Sequence, residues 1–595
     1  MTDSTSTKPR EPGASRFKAI GGVHPPVFIP ALLILAGVAG AGIFLPSQTE
    51  SFLADAKVLA VDHVGWFLTL SVAVFVVFAL WMGLSRFGDI KLGPDDEEAD
   101  FSMPAWFAML FAAGMGIGLV FWGVAEPLTY FGDVDRKAGM PGEGIELAQN
   151  SLAQVFVHWG FHAWAIYVVV GLALAYSIHR KGRPVSIRWA LEPLLGDRVK
   201  GWLGDVIDVI AVVGTVVGVA TSLGLGVQQI SAGLVELNVF DEVTNPLLVG
   251  LIAVITCLAT ISVVSGVGKG IKWLSNANLV LAGVFMLTVL LLGPTLFLLR
   301  SWVQEIGVYL GSVLSLTFSS SAWTWGSGPG TGAGYTGGAW EAGWTIFYWG
   351  WWISWAPFVG VFIARISRGR TVRQFVAGVL LVPTLVTFLW FSILGGTALW
   401  QEIYGGGGVM DESDGVLSVN YDTALFRMLE HLPATGLLSG IAIILVAVFF
   451  ITSSDSGSLV VTMLASGGDA DPPTWSRVMW AVIEGLLAIG LLLAGGLTAL
   501  QTGAILTSIP FVFIMLLMCW ATYRALSAEH NVLVRAERRQ RREELARVIG
   551  GEVTDDLTEN FDEHFGDPVE QHVERHVEKV LADHEKNEHG GDGPA

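Results

Sequence analysis

Twelve separate runs of about twenty mostly apolar residues lie along this chain, and they decide its fold class. They fall near 27–46, 64–84, 105–125, 155–175, 205–232, 247–266, 274–298, 344–364, 375–399, 436–465, 475–496 and 502–523. Each is long enough to cross a bilayer as a helix. The runs are continuous and do not alternate in and out, which excludes a transmembrane barrel. Only 15% of the residues are charged, against about 25% in soluble domains. The expected fold is an all-α polytopic membrane protein with about twelve transmembrane helices.

The ends have a different character. Residues 1–24 are polar and read as a disordered N-terminal tail. Residues 25–525 form the expected transmembrane domain, and residues 526–595 a C-terminal tail that is first basic and then acidic. Residues 529–549 carry six Arg against four Glu, so a helix touching anionic lipid is expected there. Residues 552–595 carry 14 acidic residues against three basic ones and read as a solvated acidic tail. No cleavable signal peptide is expected, because the first apolar run is long and lacks a small-residue cleavage site. Lys and Arg in the connections divide 19 to five between the two sides, before the C-terminal tail is counted. That bias predicts both termini in the cytoplasm of a protein in the plasma (inner) membrane. Cys257 and Cys519 fall in apolar runs and read as buried small hydrophobes with no disulfide framework. Ser301 to Phe318 reads as an amphipathic helix along the outer interface, Ser319 to Gly338 as a Gly/Ser/Thr-rich loop that moves, and Gly405 to Gly408 as a flexible outer loop.

The third run contains Gly114-Met115-Gly116-Ile117-Gly118. Each glycine weakens a helix by roughly 1 kcal/mol relative to alanine. Two readings fit. The glycines let another helix pack closely, or they open the backbone at mid-membrane, where transporters place substrate.

Aromatic residues cluster in two runs. Continuing the fourth run as one helix, Trp159, Trp164 and Tyr167 share a broad face. In the eighth, Trp351, Trp352 and Trp355 occupy an arc of about 100°, away from Trp349. One reading is aromatic packing or an interfacial belt. The other is a cage for a quaternary ammonium, which has no N–H to donate and is held by cation–π attraction.

The tenth run carries Phe449-Phe450-Ile451-Thr452-Ser453-Ser454-Asp455-Ser456. Its hydroxyls either bond back to their own helix or offer oxygens to a hard cation. Asp455 within a span is a functional candidate by default. Asp208 and Glu484 are further acids within spans, as pairing residues or as groups nearer an interface. No GxxxxGK[ST], GxSxG or HExxH motif occurs, so ATP hydrolysis and enzymatic activity are not expected, nor is a nucleic-acid partner.

Taken together, these stretches resemble the betaine/choline/carnitine transporter family. The matching segments are Gly114–Gly118, HWGFHAWAIY from His158, the run from Ser262 to Asn278, WTIFYWGWWISWAPFVGVFIARISRGR from Trp344, and FFITSSDS from Phe449. The resemblance covers roughly residues 25–525. It implies a LeuT-like core of two inverted five-helix repeats, runs 3–7 and 8–12, preceded by two extra helices. It also implies a homotrimer and sodium as coupling ion, with no other cofactor.

By the same resemblance, an aromatic box falls on Trp159, Trp164, Tyr167 and Trp352, with Trp351 and Trp355 lining the same site. Backbone at Met115 and Gly116 would face the substrate, beside Gly118. One sodium would be held by carbonyls of Ala112, Met115 and Phe449 and by the hydroxyls of Thr452 and Ser453. A second family sodium site matches at Thr215 and Phe358. It departs at Val219, where the family has a second threonine, and Thr221 or Ser222 are the possible substitutes. Gly118 stands where choline carriers of the family tend to have an acid, which favours a zwitterion and sodium.

The resulting expectation is Na⁺-coupled symport of a quaternary-ammonium compatible solute, foremost glycine betaine, by alternating access, with osmoprotection as the biological use. Transport or exchange of choline, carnitine, ectoine or proline is the alternative, together with a membrane osmosensor of little net flux.

Overall fold

The structure is a computed structural model. It describes residues 21–588, apart from 115, 135, 136, 138, 139, 266, 267, 321 and 323–336. Apart from one short hairpin, the regular elements are helices. Pro25 and Pro46 stand in the first turns of α1 (Pro25–Phe44) and α2 (Pro46–Leu84), where a missing N–H costs nothing. At 39 residues α2 starts well before the apolar run that marks it in the sequence.

The third run is broken. α3 (Met103–Gly114) and α4 (Ile117–Phe131) are inclined at 65° to one another across the glycine segment. The fourth run forms one span, Gly144–Arg180, interrupted at Gly160 without a bend like that of the third, an interruption the sequence reading did not anticipate. α5 (Gly144–Trp159) ends at Gly160 and α6 (Phe161–Ala175) begins immediately after it. The helical-wheel arithmetic runs across this interruption, and Trp159, Trp164 and Tyr167 nonetheless line one cavity. Gly160 allows a close approach here: a Cβ would lie 2.5 Å from Phe156 O and 2.7 Å from the Phe388 ring, which is itself stacked 3.9 Å from Phe156.

Two one-turn helices follow, α7 (Ile187–Ala190) and α8 (Glu192–Leu195), and then the long α9 (Trp202–Glu236), α10 (Asn245–Ser265) and α11 (Gly268–Leu292). The expected interfacial helix is α12 (Thr295–Thr317), which starts earlier than its amphipathic pattern, right after Gly293-Pro294. Most of the Ser319–Gly338 loop lies outside the described residues. Beyond it come α13 (Gly337–Gly343), α14 (Thr345–Ile366) and α15 (Val372–Tyr404). A capping box opens α15, in which Thr371 Oγ1 accepts from Gln374 N and Gln374 Oε1 from Thr371 N.

After Gly405–Gly408, three of whose glycines have positive φ, a hairpin of β1 (Asp411–Ser413) and β2 (Val416–Ser418) pairs antiparallel. The sequence reading held no strand there. α16 (Ala424–Glu430), α17 (Thr435–Ala465) and α18 (Thr474–Leu493) follow. The last span is part of α19 (Gly496–Phe561).

Among the described residues, eleven helices are long and apolar enough to cross a membrane, and α3 with α4 taken as one broken span makes twelve. The chain is thus an all-α polytopic membrane protein. The innermost helices α4, α5, α6 and α14 carry nearly continuous buried faces, whereas α1, α10 and α11 expose Leu33, Val254, Val264 and Leu291 as lipid-facing helices do. Cys519 is buried, but Cys257 is exposed on α10, contrary to its reading as a buried residue.

The chain divides into two compact units at Leu526–Ser527. In the second, the expected acidic tail is helical as far as Glu588, through the end of α19 and α20 (Asp567–Glu588), with its described side chains almost all exposed. In the basic segment ahead of it, Arg539 and Glu543, 2.9 Å apart at i,i+4, give local helical support.

Candidate substrate site

The two breaks meet at one cavity. It is lined by Gly116, Ile117 and Gly118 of the first break, by Trp159, Ala163, Trp164 and Tyr167 around the second, and by Trp351, Trp352 and Trp355 of α14. Ser222, Thr387 and Ser453 supply hydroxyl-bearing positions on its wall.

The Gly160 break explains how one wall is built. A helix end leaves carbonyls without donors. His158 O accepts from Trp352 Nε1 at 2.9 Å, and Trp159 O accepts from Thr387 Oγ1 at 3.2 Å. The carbonyls released by the break thereby fix Trp352. Its ring meets Trp159 at a centroid distance of 4.9 Å and an angle of 70°, and Tyr167 at 6.4 Å and 73°. Tyr167 also meets Trp355 at 6.3 Å and 73°, and Trp164 at 5.4 Å. Trp351 stacks behind Trp352 at 4.6 Å and 17° and donates to Gly218 O at 3.3 Å. Rings set at steep angles leave electron-rich faces for a cation. Trp349 points elsewhere and stacks on His162 at 5.5 Å.

Gly116 has extended backbone, and a Cβ added there would meet open space. Gly118 is tight: a Cβ would come within 2.6 Å of Trp351 Cη2. Met115 lies outside the described residues.

Of the remaining positions implied for the first sodium, Ala112 is near the end of α3 and Phe449 is buried in α17. Thr452 Oγ1 donates to Val448 O at 2.9 Å and Phe449 O at 3.2 Å, which leaves the hydroxyl lone pairs available to a cation. Ser453 lines the cavity. For the second sodium, Thr215 Oγ1 donates to Ala211 O at 2.7 Å, and Phe358 lies 5.5 Å from Trp355. Val219 offers no side-chain oxygen and is buried near Gly457. Of the two possible substitutes, Ser222 lines the cavity, whereas Thr221 turns to Leu500 O at 3.2 Å.

The acids within spans have partners. Asp208 accepts from Ser186 Oγ at 2.6 Å and Arg188 Nε at 2.5 Å. Asp455 pairs with Arg477 at 3.3 Å, and Glu484 accepts from Ser454 Oγ at 3.1 Å. These contacts make Asp208 and Asp455 pairing residues.

Sequence reasoning missed Glu126, a fully buried carboxylate of α4 that borders the box. Its Oε2 accepts from Trp159 Nε1 at 2.7 Å and Tyr348 Oη at 2.5 Å. Its Oε1 accepts from His158 Nδ1 at 2.8 Å and Tyr130 Oη at 2.9 Å. The available signal was an acid flanked by apolar residues in FWGVAEPLTY. Ending the third run at residue 125 placed it just outside.

Comparison with known proteins decides the family. The model of the betaine/carnitine/choline family transporter matches residues 26–531. The chain belongs to this family. It is 50% identical over 511 residues to an uncharacterized transporter of Mycobacterium tuberculosis, covering 85% of this chain and 83% of that one. It is 43% identical over 514 residues to the glycine betaine transporter OpuD of Bacillus subtilis, covering 86% and 96%. Glycine betaine transporter 1 of Vibrio parahaemolyticus is also 43% identical, over 527 residues, covering 86% and 95%. This betaine/carnitine/choline family member is therefore a transporter of a small solute and not an enzyme.

Proposed function

We propose that this transporter carries glycine betaine by Na⁺-coupled symport. The observation that carries the reading is the box of Trp159, Trp164, Tyr167 and Trp352, with Trp355 beside it, around a cavity bordered by the extended backbone of Gly116. A trimethylammonium group has no N–H to satisfy and gains about 2 kcal/mol from each desolvated aromatic face. The carboxylate of a zwitterion suits the uncharged, glycine-opened side of the same cavity. Relatives named glycine betaine transporters support this choice of solute.

Sodium would be held by Thr452 and Ser453 with carbonyls of Ala112, Met115 and Phe449. Its contribution is a fixed positive charge beside the substrate carboxylate and a free-energy source for uptake. In this reading the two breaks are the hinges of alternating access in a core of two inverted repeats, both termini are cytoplasmic, and the protein works as a homotrimer in the plasma membrane.

The test is uptake of radiolabelled glycine betaine into proteoliposomes with an inward sodium gradient, without one, and with competing unlabelled choline, carnitine, ectoine and proline. Gradient-driven accumulation inhibited best by glycine betaine is expected. Uptake indifferent to sodium would remove the symport, and stronger competition by another solute would reassign the substrate.

A further inference from the structure

Behind the aromatic box lies a second layer, organised on one side chain. Glu126 is completely buried, yet no Lys or Arg is paired with it among the described residues. Instead, four donors from three helices converge on its two oxygens: Tyr130 of α4, His158 and Trp159 of α5, and Tyr348 of α14. The donating nitrogen of His158 is assigned from its neighbours. Its Nε2 faces the Gln154 amide nitrogen at 3.1 Å and the Thr345 hydroxyl at 3.1 Å. With the amide assigned as donor, Nε2 accepts and Nδ1 carries the proton toward Glu126. Four donors and no acceptor are the complement of a carboxylate.

We propose that Glu126 is a positioning residue for solute recognition, acting through Trp159. This deepens the reading of the cavity as a trimethylammonium site and rests on it. Two physical effects follow from the geometry. First, the 2.7 Å charge-assisted bond fixes the indole in the orientation that meets Trp352 at 70°. The bond to Tyr348 ties α14, which carries Trp351, Trp352 and Trp355, to the same anchor. Second, an indole N–H donating to a carboxylate is polarised toward a more electron-rich ring, in the way hydrogen bonds in series strengthen one another. That raises the attraction of the Trp159 face for a cation. The carboxylate thus biases the site toward a positively charged group without itself lining the cavity.

Glutamine and aspartate separate this role from packing. Glutamine keeps the shape of Glu126 but replaces one acceptor oxygen by a donor. Aspartate keeps the carboxylate but shortens it. The experiment measures glycine betaine affinity by calorimetry on full-length protein in detergent, for the wild type, Glu126→Gln and Glu126→Asp. Glu126→Gln is expected to weaken binding at least tenfold and Glu126→Asp less. Wild-type affinity in Glu126→Gln, or the reverse order of the two variants, overturns the proposal. Wild-type protein that binds no glycine betaine would instead count against the substrate reading.

A ligand-free arm covers that case and the case of a variant that folds poorly. Tyr348→Phe removes a single donor to Oε2. Its circular dichroism in the long-wavelength tryptophan band, where tyrosine does not absorb, is expected to differ from wild type, with most of the difference abolished in a Trp159→Phe background. An identical spectrum, or a difference largely retained without Trp159, overturns the positioning role.

Discussion

Gly118 lies edge-on against Trp351, so close that a Cβ at Gly118 would stand 2.6 Å from Cη2 of that ring and 3.0 Å from Cη2 of Trp159. The absence of a side chain here is therefore a steric condition of the box as well as an electrostatic one. Both rings line the cavity, and any methyl group must displace one of them.

Gly118→Ala is expected to lower glycine betaine affinity by about tenfold, equivalent to ~1.4 kcal/mol, in protein that still elutes as a folded species. Gly118→Asp adds a charge to the same displacement and should move preference from the zwitterion toward choline. Binding isotherms for the two solutes check both. An unchanged affinity in Gly118→Ala would show that the rings adjust freely.

Trp352 serves the box with both parts of its indole. The ring faces Trp159 and Tyr167, and Nε1 covers the His158 carbonyl released at Gly160. Trp352→Leu removes a cation–π face worth about 2 kcal/mol when desolvated, so roughly 30-fold weaker binding is expected. It also leaves a buried carbonyl without its donor, at about 1–3 kcal/mol of stability. Calorimetry and thermal unfolding in detergent report the two losses separately. Retained affinity together with lowered stability would remove Trp352 from the recognition surface.

The sequence exposed much of this arrangement because its residue types are unusual for mid-membrane positions. Repeated glycines at 114–118, tryptophans within α14 and hydroxyls at 452–454 stand out against aliphatic surroundings, and the structure gathers Gly116, Gly118, the two aromatic clusters and Ser453 at one cavity. The Gly160 break was not legible. A single glycine is common in membrane helices, and no proline near this one marks an interruption in the sequence. Glu126 was missed for a related reason, since its four partners come from α4, α5 and α14 and periodicity in one helix does not reveal a convergence of three. The described side chains of residues 552–588 are almost all exposed, as their net charge implies, but net charge speaks to solvation only and left their helix undescribed.

Asp422, just ahead of α16, gives a pH-dependent prediction outside the spans. Burial pushes its carboxyl up from the ordinary 3.8 to about 6. A folded value above the unfolded one means that the fold prefers the protonated form. The corresponding stabilisation is complete below about pH 4 and is lost as pH rises through 6, at most about 3 kcal/mol for a shift of this size. Unfolding temperatures in detergent, scanned from pH 4 to 7, should fall for the wild type relative to Asp422→Asn. A wild type that gains on the variant over that range would refute the assignment.

Val219 offers a gain-of-function test of ion coupling. It lies one helical turn after Thr215, is buried, and packs where a Cβ at Gly457 would touch its Cγ2 at 3.1 Å. Threonine has nearly the same outline, and its hydroxyl can donate to the Thr215 carbonyl four residues back, as Thr215 donates to Ala211. Val219→Thr is therefore expected to fold. Donating in this way leaves its oxygen lone pairs free beside those of Thr215, which recreates the pair of hydroxyls that the family resemblance implies for a second sodium. Glycine betaine uptake titrated with sodium should become steeper in Val219→Thr, with an apparent order in sodium approaching about one ion above that of the wild type, and half-saturation should move to lower sodium. Identical sodium dependence in folded variant and wild type would show that Thr215, Phe358 and a hydroxyl at 219 do not suffice to hold an ion.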